Sequence, residues 1–337
     1  MKRLGNIWKK IISKENFEKA LTNAIRGKSR LRSIGKFKEN KESNLEKVRQ
    51  LLVEKKFKTS KYKERTVFEP KKRIIYVLPF SPDRIIHHAL LNILEPYWNR
   101  LFISTSYSCR KKYGIHKGST KTMEYVRNNK YCLKCDISKF YPSIDHKILI
   151  EIIEKKIKDK DALWLIREII NSFPGEQNVP IGNYTSQWFG NIYMNELDTY
   201  IKHELKIKDY IRYCDDFLLF GNDKNILNEA RKKIEIFINE KLKLKFSKCD
   251  LFQTKQGVDF LGYRHFKKYI LLRKSTKKRV EKRLKLLPKL FEKQKITKEQ
   301  YLSSVGSTYG WLKWANTHNL NIKLQLDALF KKVKFSC

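Results

Sequence analysis

The sequence has few cysteines, no long apolar run and a shortage of acidic residues. The cysteines are too few and too scattered for a disulfide framework; they are Cys109, Cys132, Cys135, Cys214, Cys249 and Cys337. No stretch approaches the roughly 18 apolar residues that span a membrane, and the N-terminus lacks the apolar core of a signal peptide. We therefore expect a cytoplasmic protein with reduced thiols and no membrane association.

The stretch YCLKCDI contains a C-x-x-C pair, Cys132 and Cys135. No second pair follows at the spacing of a zinc ribbon, and a structural zinc site usually needs four ligands. The stretch alternates like a β-strand, with Leu133 and Cys135 on one face. Reduced core thiols are therefore favoured, and a metal site is the alternative.

Positive charge dominates the amino-acid composition. The 337 residues include 74 Lys and Arg against 35 Asp and Glu, which gives a formal net charge of +39. Such a chain favours polyanionic partners, nucleic acid before an anionic membrane surface. A lysine-rich proteome would account for part of the excess. Because 41% of the residues are hydrophobic, the chain can still bury a sizeable core.

The pattern of apolar residues predicts a mixed order of helices and strands. Residues 1–60 read as a basic helical extension, residues 61–272 mix strands and helices, and residues 273–337 are helical and strongly basic. Because the strands form antiparallel hairpins instead of repeated βαβ units, the expected fold class is α+β. Single strands are expected around 244–253 and 257–271.

Two acidic motifs stand out in this basic chain. The stretch RYCDDFLLF sets Asp215 and Asp216 side by side between apolar runs, although adjacent carboxylates repel and burial penalises their ionised forms. The stretch LKCDISKFYPSID closes a predicted strand with Asp136. Nucleotidyl transfer uses two Mg²⁺ ions about 3.5–4 Å apart, and cations shared by three carboxylates would keep them ionised. A turn that merely exposes the two aspartates is the alternative.

In chain order, these and other segments resemble the motifs of reverse transcriptases. Besides the two acidic motifs, the similar segments are KKRIIYVLPFSPDR, PIGNYTSQWFGNIYMNELD, VDFLGYRHF and STYGWLKWANTHNL. The resemblance implies a right-hand polymerase, with fingers and palm over 61–272 and a helical thumb over 273–337. It also implies an RNA-directed DNA polymerase that acts by two-metal phosphoryl transfer.

The resemblance further implies roles for individual residues. Asp136, Asp215 and Asp216, with the backbone of Ile137, would bind two Mg²⁺ ions, for which Mn²⁺ can substitute. Nucleotide contacts are implied for Lys72, Arg73, Phe140, Tyr141, Ile181 and Gly182, where Tyr141 would crowd a ribose 2′-hydroxyl. Template or primer contacts are implied for Arg110, Lys111, Gln187, Tyr213, Leu261 and Gly262. Lys248 would be a general acid toward pyrophosphate; ordinary structural roles are the alternative for Tyr141, Arg73 and Lys248.

Two departures from the usual motif are similar to reverse transcriptases of diversity-generating retroelements, which are bacterial or phage-encoded. Ile181 stands where many such enzymes carry Gln, and Ser186-Gln187 replaces a Ser-Pro pair. The resemblance implies error-prone copying opposite template adenines, for mutagenic retrohoming. The implied partners are template RNA, the RNA–cDNA duplex, dNTPs and a small basic accessory variability determinant protein bridged by RNA. Group II intron-like and abortive-infection reverse transcriptases, or a catalytically idle RNA-binding protein, are the alternatives. An intron-like enzyme is expected to carry a maturase extension after the thumb, which favours the diversity-generating type for this sequence.

Overall fold

The N-terminal part of the chain folds into four helices and a hairpin. The computed structural model describes residues 2–68, 72–325 and 329. The elements are α1 (Trp8–Ile11), α2 (Lys14–Ile25), α3 (Arg32–Glu39), α4 (Lys41–Val53) and the antiparallel strands β1 (Lys63–Val67) and β2 (Arg73–Val77). Helix α2 begins after Ser13, whose hydroxyl accepts a hydrogen bond from the backbone N–H of Asn16 at 3.2 Å.

The central part of the chain combines a four-stranded sheet with helices. Its elements are α5 (Ile85–Leu101), α6 (Ile115–Asn128), β3 (Tyr131–Ile137), α7 (Phe140–Ser143), α8 (His146–Glu154), α9 (Lys160–Ile170), α10 (Tyr184–Thr199), β4 (Tyr210–Tyr213), β5 (Asp216–Gly221), α11 (Lys224–Leu242) and β6 (Phe246–Gln253). The sheet is antiparallel throughout, in the order β4–β5–β3–β6. Strand β3 therefore lies between β5 and β6.

The C-terminal part consists of a small antiparallel sheet and a helical bundle. The elements are β7 (Val258–Phe260), β8 (Tyr263–His265), β9 (Ile270–Leu272), α12 (Lys274–Glu292), α13 (Lys298–Leu312) and α14 (His318–Lys323). The single strand expected around 257–271 is thus wrong, because a tight turn after Phe260 reverses the chain. The predicted C-terminal helical segment extends over 326–328 and 330–337, which lie outside the described residues.

The described chain has three hydrophobic clusters, one of which lies around Cys132, apart from the main core. Phe17 of α2 is buried in the same cluster as Leu133 of β3 and Trp188 of α10, so the N-terminal helices share the core of the central sheet. Helices α12 to α14 bury a separate cluster around Leu284 and Tyr301. The α+β class is confirmed.

The C-x-x-C cysteines lie on opposite faces of β3. Cys135 is buried in the main core, whereas Cys132 belongs to a smaller cluster on the other face, and both are free thiols. Because they point apart, they cannot bind one ion together, and the prediction of core thiols is confirmed. Cys337 lies outside the described residues. None of the described helices is long and apolar enough to cross a membrane.

Candidate active site

Four polar side chains form one row across the central sheet. In the antiparallel register, Asp216 pairs with Tyr213 on one side and with Asp136 on the other. Asp136 in turn pairs with Lys248 of β6. Directly opposite residues in an antiparallel pair project from the same face, with Cβ atoms about 4.5–5.5 Å apart. The alternate positions of β3, such as Leu133, face the core. Folding therefore brings together four residues that the sequence singled out separately.

Asp215 lies in the two-residue turn between β4 and β5. Of the two turn residues, only Cys214 has a positive φ, 56°. A positive φ at the first turn residue is the pattern of type II′ hairpins, whose twist matches that of the flanking strands. The turn therefore places Asp215 at the end of the β4–β5 hairpin, directly before Asp216.

Burial and mutual repulsion perturb Asp216. Its pKa is raised to about 7, first by burial and further by the charges of Asp136 and Asp215, while Lys134 and Arg273 oppose the shift. A carboxyl with such a pKa is stabilised in its ionised form by any additional cation. The row thus combines clustered acidic groups with an environment that favours positive ligands.

Asp215 is perturbed in the same direction. Its pKa is raised chiefly by burial, and Asp136 adds to the shift, whereas the charges of Arg73 and Arg212 lower it. Arg73 begins β2 and is exposed, as is the neighbouring Lys72. The structure therefore brings Arg73 of the hairpin within electrostatic reach of the turn that contains Asp215.

The donor set suits Mg²⁺, although the carboxylates do not form a closed cage. Asp216 Oδ1 is buried without a hydrogen-bond partner, and Asp216 Oδ2 lies 4.0 Å from Lys134 Nζ. Ser247 Oγ donates to Asp136 Oδ2 at 2.5 Å. Within the described ranges, no three His, Cys, Asp or Glu side chains are close enough to hold an ion together. Carboxylate oxygens are the ligands that Mg²⁺ prefers, so the chemistry of these side chains fits the ion.

The chain leaves β3 through residues that differ sharply in burial. The ladder to β6 is irregular between Asp136 and Ile137, and Ile137 is 2% exposed, so its side chain is not available to a ligand. Phe140 is 3% exposed and belongs to the main core, which corrects its predicted nucleotide contact. Phe140 instead supports the half-buried ring of Tyr141, with ring centroids 5.1 Å apart. The Tyr141 ring lies against Gly190 of α10.

The loop before α10 touches the backbone of β2. The Tyr76 N–H donates to the Ile181 carbonyl at 2.7 Å. Gly182 has a φ of 130°, and a Cβ there would lie 2.5 Å from the Tyr76 carbonyl oxygen, so glycine permits this close approach. Ile181 is half-buried, and Gln187 is exposed in the first turn of α10.

Arg110 is engaged inside the protein. It donates hydrogen bonds of 2.6–3.2 Å to four oxygen atoms, which belong to Asn99 (two), Ile103 and Ser106. Its guanidinium also lies 3.8 Å from the centroid of the Tyr113 ring. Arg110 is 8% exposed, so the predicted template contact is wrong. Lys111 is exposed and pairs with Glu95 at 3.2 Å.

The tight turn between β7 and β8 lies between two helices. Leu261 (φ 55°) and Gly262 (φ 85°) form this two-residue turn, and two positive φ values are the pattern of type I′. A Cβ on Gly118 of α6 would lie 2.7 Å from the Leu261 side chain. A Cβ on Gly262 would lie 2.7 Å from the Trp311 ring of α13. The turn therefore joins the central body to the C-terminal helices.

Sequence reasoning missed three residues around the aspartates. Lys134 Nζ donates to the Asp259 carbonyl at 2.6 Å in addition to facing Asp216, Ser247 bonds Asp136, and Arg212 lies below the turn. Lys134 was detectable, since a residue two positions before a strand aspartate shares its face. No local pattern predicts Ser247, because its partner depends on the register of β6 against β3.

The chain is similar to several known proteins. The family described as “Reverse transcriptase (RNA-dependent DNA polymerase)” matches residues 61–265, more than half of the chain. Protein YkfC of Escherichia coli (strain K12) is 24% identical over 242 residues, covering 57% of this chain and 62% of that protein. The group II intron-encoded protein LtrA of Lactococcus lactis subsp. cremoris is 22% identical, covering 55% and 43%. The retron Ec73 reverse transcriptase of Escherichia coli is 30% identical, covering 42% and 50%.

These matches leave part of each relative uncovered. The chain spans less than two thirds of the length of the three curated relatives named above. Among solved structures, apo telomerase from Candida tropicalis superposes with a TM-score of 0.50 at 12% identity, over 66% of this chain and 50% of that chain. At that identity the likeness concerns the polymerase fold alone.

Proposed function

Because the chain belongs to the reverse transcriptase (RNA-dependent DNA polymerase) family, we propose that it is an RNA-directed DNA polymerase that extends a primer on template RNA with dNTPs. The observation that carries the proposal is the placement of Asp136 opposite Asp216 on one sheet face, with Asp215 in the adjoining turn. The net charge of +39 suits the RNA–cDNA duplex that such an enzyme must hold.

The residues of the row divide the work of nucleotidyl transfer. When bound, two Mg²⁺ ions supply activation of the primer hydroxyl and neutralise charge on the triphosphate. Asp136, Asp215 and Asp216 would hold these ions. Arg73, whose charge reaches Asp215, binds triphosphate oxygens. Lys248 stands next to Asp136 in the row and donates a proton to the departing pyrophosphate.

Removal of one carboxylate tests this function. In Asp215→Asn, dTTP incorporation on poly(rA)/oligo(dT) with Mg²⁺ falls by on the order of 10³-fold or more, because a catalytic group that works as part of a unit is lost. Affinity for the primer–template, measured by fluorescence anisotropy, stays unchanged. The matched control is Glu240→Gln, which removes an exposed carboxylate from α11. Equal incorporation by the two variants contradicts the proposal.

We further propose that the enzyme is error-prone opposite template adenines and serves mutagenic retrohoming in a diversity-generating retroelement. The support is Ile181, whose side chain offers shape but no hydrogen-bond donor or acceptor, in the loop bonded to Tyr76. In Ile181→Gln, sequenced cDNA shows fewer errors opposite adenine. Ile181→Val, which keeps the apolar character, leaves the spectrum as it is. An unchanged spectrum in Ile181→Gln refutes this part.

The accessory variability determinant protein belongs to the same proposal. A chain of net charge +39 repels a second basic protein, so RNA is expected to bridge the two. Co-purification of the pair is then lost on RNase treatment and weakened at high salt. A complex that is tight without RNA and insensitive to salt contradicts the bridge.

A second candidate function follows from the names of the relatives. The intron-encoded protein and the retron reverse transcriptase favour a reverse transcriptase of the intron or retron kind, without errors directed at adenine. Sequencing of cDNA distinguishes the two functions, because only the first concentrates errors at one template base. DNA made without a template would instead indicate an abortive-infection type of enzyme.

A further inference from the structure

A buried ion pair lies on the core side of the catalytic turn. Arg212 of β4 and Asp198 of α10 both have fully buried side chains. Arg212 Nε and Nη2 donate to the two carboxylate oxygens of Asp198 at 2.7 and 2.6 Å. This bidentate arrangement fixes the plane of the guanidinium. Because Arg212 is 0% exposed, it cannot itself touch a substrate.

The remaining nitrogen of the guanidinium is directed at the turn. Arg212 Nη1 donates to the Cys214 carbonyl at 3.0 Å and to Asn191 Oδ1 at 3.1 Å. Asn191 Nδ2 donates to the Ser108 carbonyl at 2.9 Å, and Ser108 Oγ lies 2.7 Å from Cys214 Sγ. Both branches of this network therefore end on Cys214, the residue directly before Asp215.

Cys214 needs such support. Its φ of 56° lies in the left-handed region, which side-chain-bearing residues adopt only when their surroundings impose it. The Arg212 contact satisfies the carbonyl of this turn residue, and the Ser108 contact holds its side chain. Moving the Cys214 peptide would therefore move Asp215 with it.

We propose that Arg212, oriented by Asp198, is a positioning residue that sets the place of the Asp215 carboxylate through the Cys214 backbone. The inference rests on the proposed polymerase function. A purely stabilising role explains the pair poorly, because apolar residues of similar volume are often at least as stable as a buried ion pair. Residues that orient metal-holding groups typically change metal affinity or activity about 10–100-fold when replaced.

Two variants separate positioning from stability. Arg212→Lys keeps a positive charge for Asp198 but cannot reach Asp198 and Cys214 together. A single ammonium group then replaces the planar guanidinium, whose N–H donors point in several fixed directions. Tyr210→Phe is the matched control. The Tyr210 hydroxyl donates to Asp198 Oδ1 at 2.7 Å, so its loss weakens the same buried pair without touching the turn. If Arg212→Lys does not fold, the double variant Arg212→Met/Asp198→Leu removes both charges and is measured in its place.

Metal affinity is measured in a complex that cannot carry out catalysis. Each protein is bound to poly(rA)/oligo(dT) ended with a dideoxynucleotide, dTTP is added, and Mn²⁺ binding is followed by electron paramagnetic resonance. The rate of the first turnover is measured separately on an extendable primer, so that inactive molecules do not count. Thermal unfolding of each variant records stability.

The proposal predicts that Arg212→Lys raises the Mn²⁺ half-saturation and slows the first turnover about 10–100-fold, whereas Tyr210→Phe changes neither. Wild-type values in Arg212→Lys, or in the double variant if that one is used, overturn the proposal. Equal shifts in Tyr210→Phe also overturn it, since the pair would then act through general stability. If the wild type makes no cDNA at all, the proposed function fails instead, and the Mn²⁺ comparison still decides the role of Arg212.

Discussion

Replacing Gly182 by alanine tests whether the loop before α10 must touch the backbone of β2. A Cβ at this position would lie 2.5 Å from the Tyr76 carbonyl oxygen. A backbone oxygen cannot swing aside as a flexible side chain does, so either the loop or the strand must move. Gly175 is the matched control, because its φ is also positive, at 94°, but a Cβ at that position would have no neighbouring atom within 4 Å among the described residues.

The expected difference in stability follows from comparing the costs that both substitutions share with the one that only Gly182→Ala has. Alanine at a positive φ costs about 1–3 kcal/mol, and the reduced freedom of the unfolded chain offsets about 0.4–1 kcal/mol of it. Overlap with Tyr76 arises only in Gly182→Ala and adds about 1–3 kcal/mol, as overpacking does. Gly182→Ala should therefore lower the free energy of unfolding more than Gly175→Ala by that last amount. Because Arg73 lies on the displaced strand, the KM for dTTP should rise as well.

Urea unfolding followed by tryptophan fluorescence measures the first effect, and primer extension on poly(rA)/oligo(dT) measures the second. Gly35→Ala is a further control, since Gly35 lies in α3 with open space around it; it should stabilise the protein by up to about 1 kcal/mol. Equal losses of stability in Gly182→Ala and Gly175→Ala, with an unaltered KM, would refute the close approach as a requirement.

Three further predictions concern other parts of the site and the core. Tyr141→Val should increase incorporation of ribonucleotides relative to dNTPs, measured by competition on one template; an unchanged ratio argues for a purely structural tyrosine. Burial lowers the pKa of His87 to about 3 and the pKa values of His88 and His265 to about 4. The unfolded chain therefore takes up protons first at these histidines as the pH falls below about 6.5, and each histidine should lower the free energy of unfolding by about 1.4 kcal/mol at pH 5.5. The raised pKa of Asp216 acts in the opposite direction and offsets part of the combined loss. A urea midpoint at pH 5.5 that equals or exceeds the midpoint at neutral pH contradicts this. Arg110→Met should destabilise the fold by about 2–3 kcal/mol, because buried acceptors lose a charged donor, while anisotropy shows unaltered primer–template affinity; the opposite result would restore the template contact.

The positions of the aspartates were predictable because local patterns define them. Alternation in YCLKCDI identifies a strand and puts Asp136 at its end. Two apolar runs separated by Cys214 and Asp215 identify a hairpin with its turn at that place. The resemblance to a known family then related the two segments, which the sheet order β5–β3 brings side by side.

Other features depend on contacts between distant segments. Arg110 looked like a surface residue of a basic loop, but its acceptors include backbone carbonyls of Ile103 and Ser106, which no side-chain pattern reveals. Ser247 reaches Asp136 only through the pairing of β6 with β3. Phe140 and Tyr141 are adjacent aromatic residues, and only tertiary packing decides that the first is buried in the core and the second is half-buried.

The candidate site lies between two glycine-dependent contacts that differ in stiffness. On the hairpin side, Gly182 meets a backbone oxygen, and the same strand is bonded to the Ile181 carbonyl, so this contact can change only if β2 itself moves. On the other side, Gly262 meets the ring of Trp311, which is a side chain and not part of the backbone. Helices α12 to α14 also have a core of their own, separate from the main core. Adjustment to duplexes of different shape is therefore expected at the C-terminal helices, while the hairpin and the aspartate row keep a constant geometry.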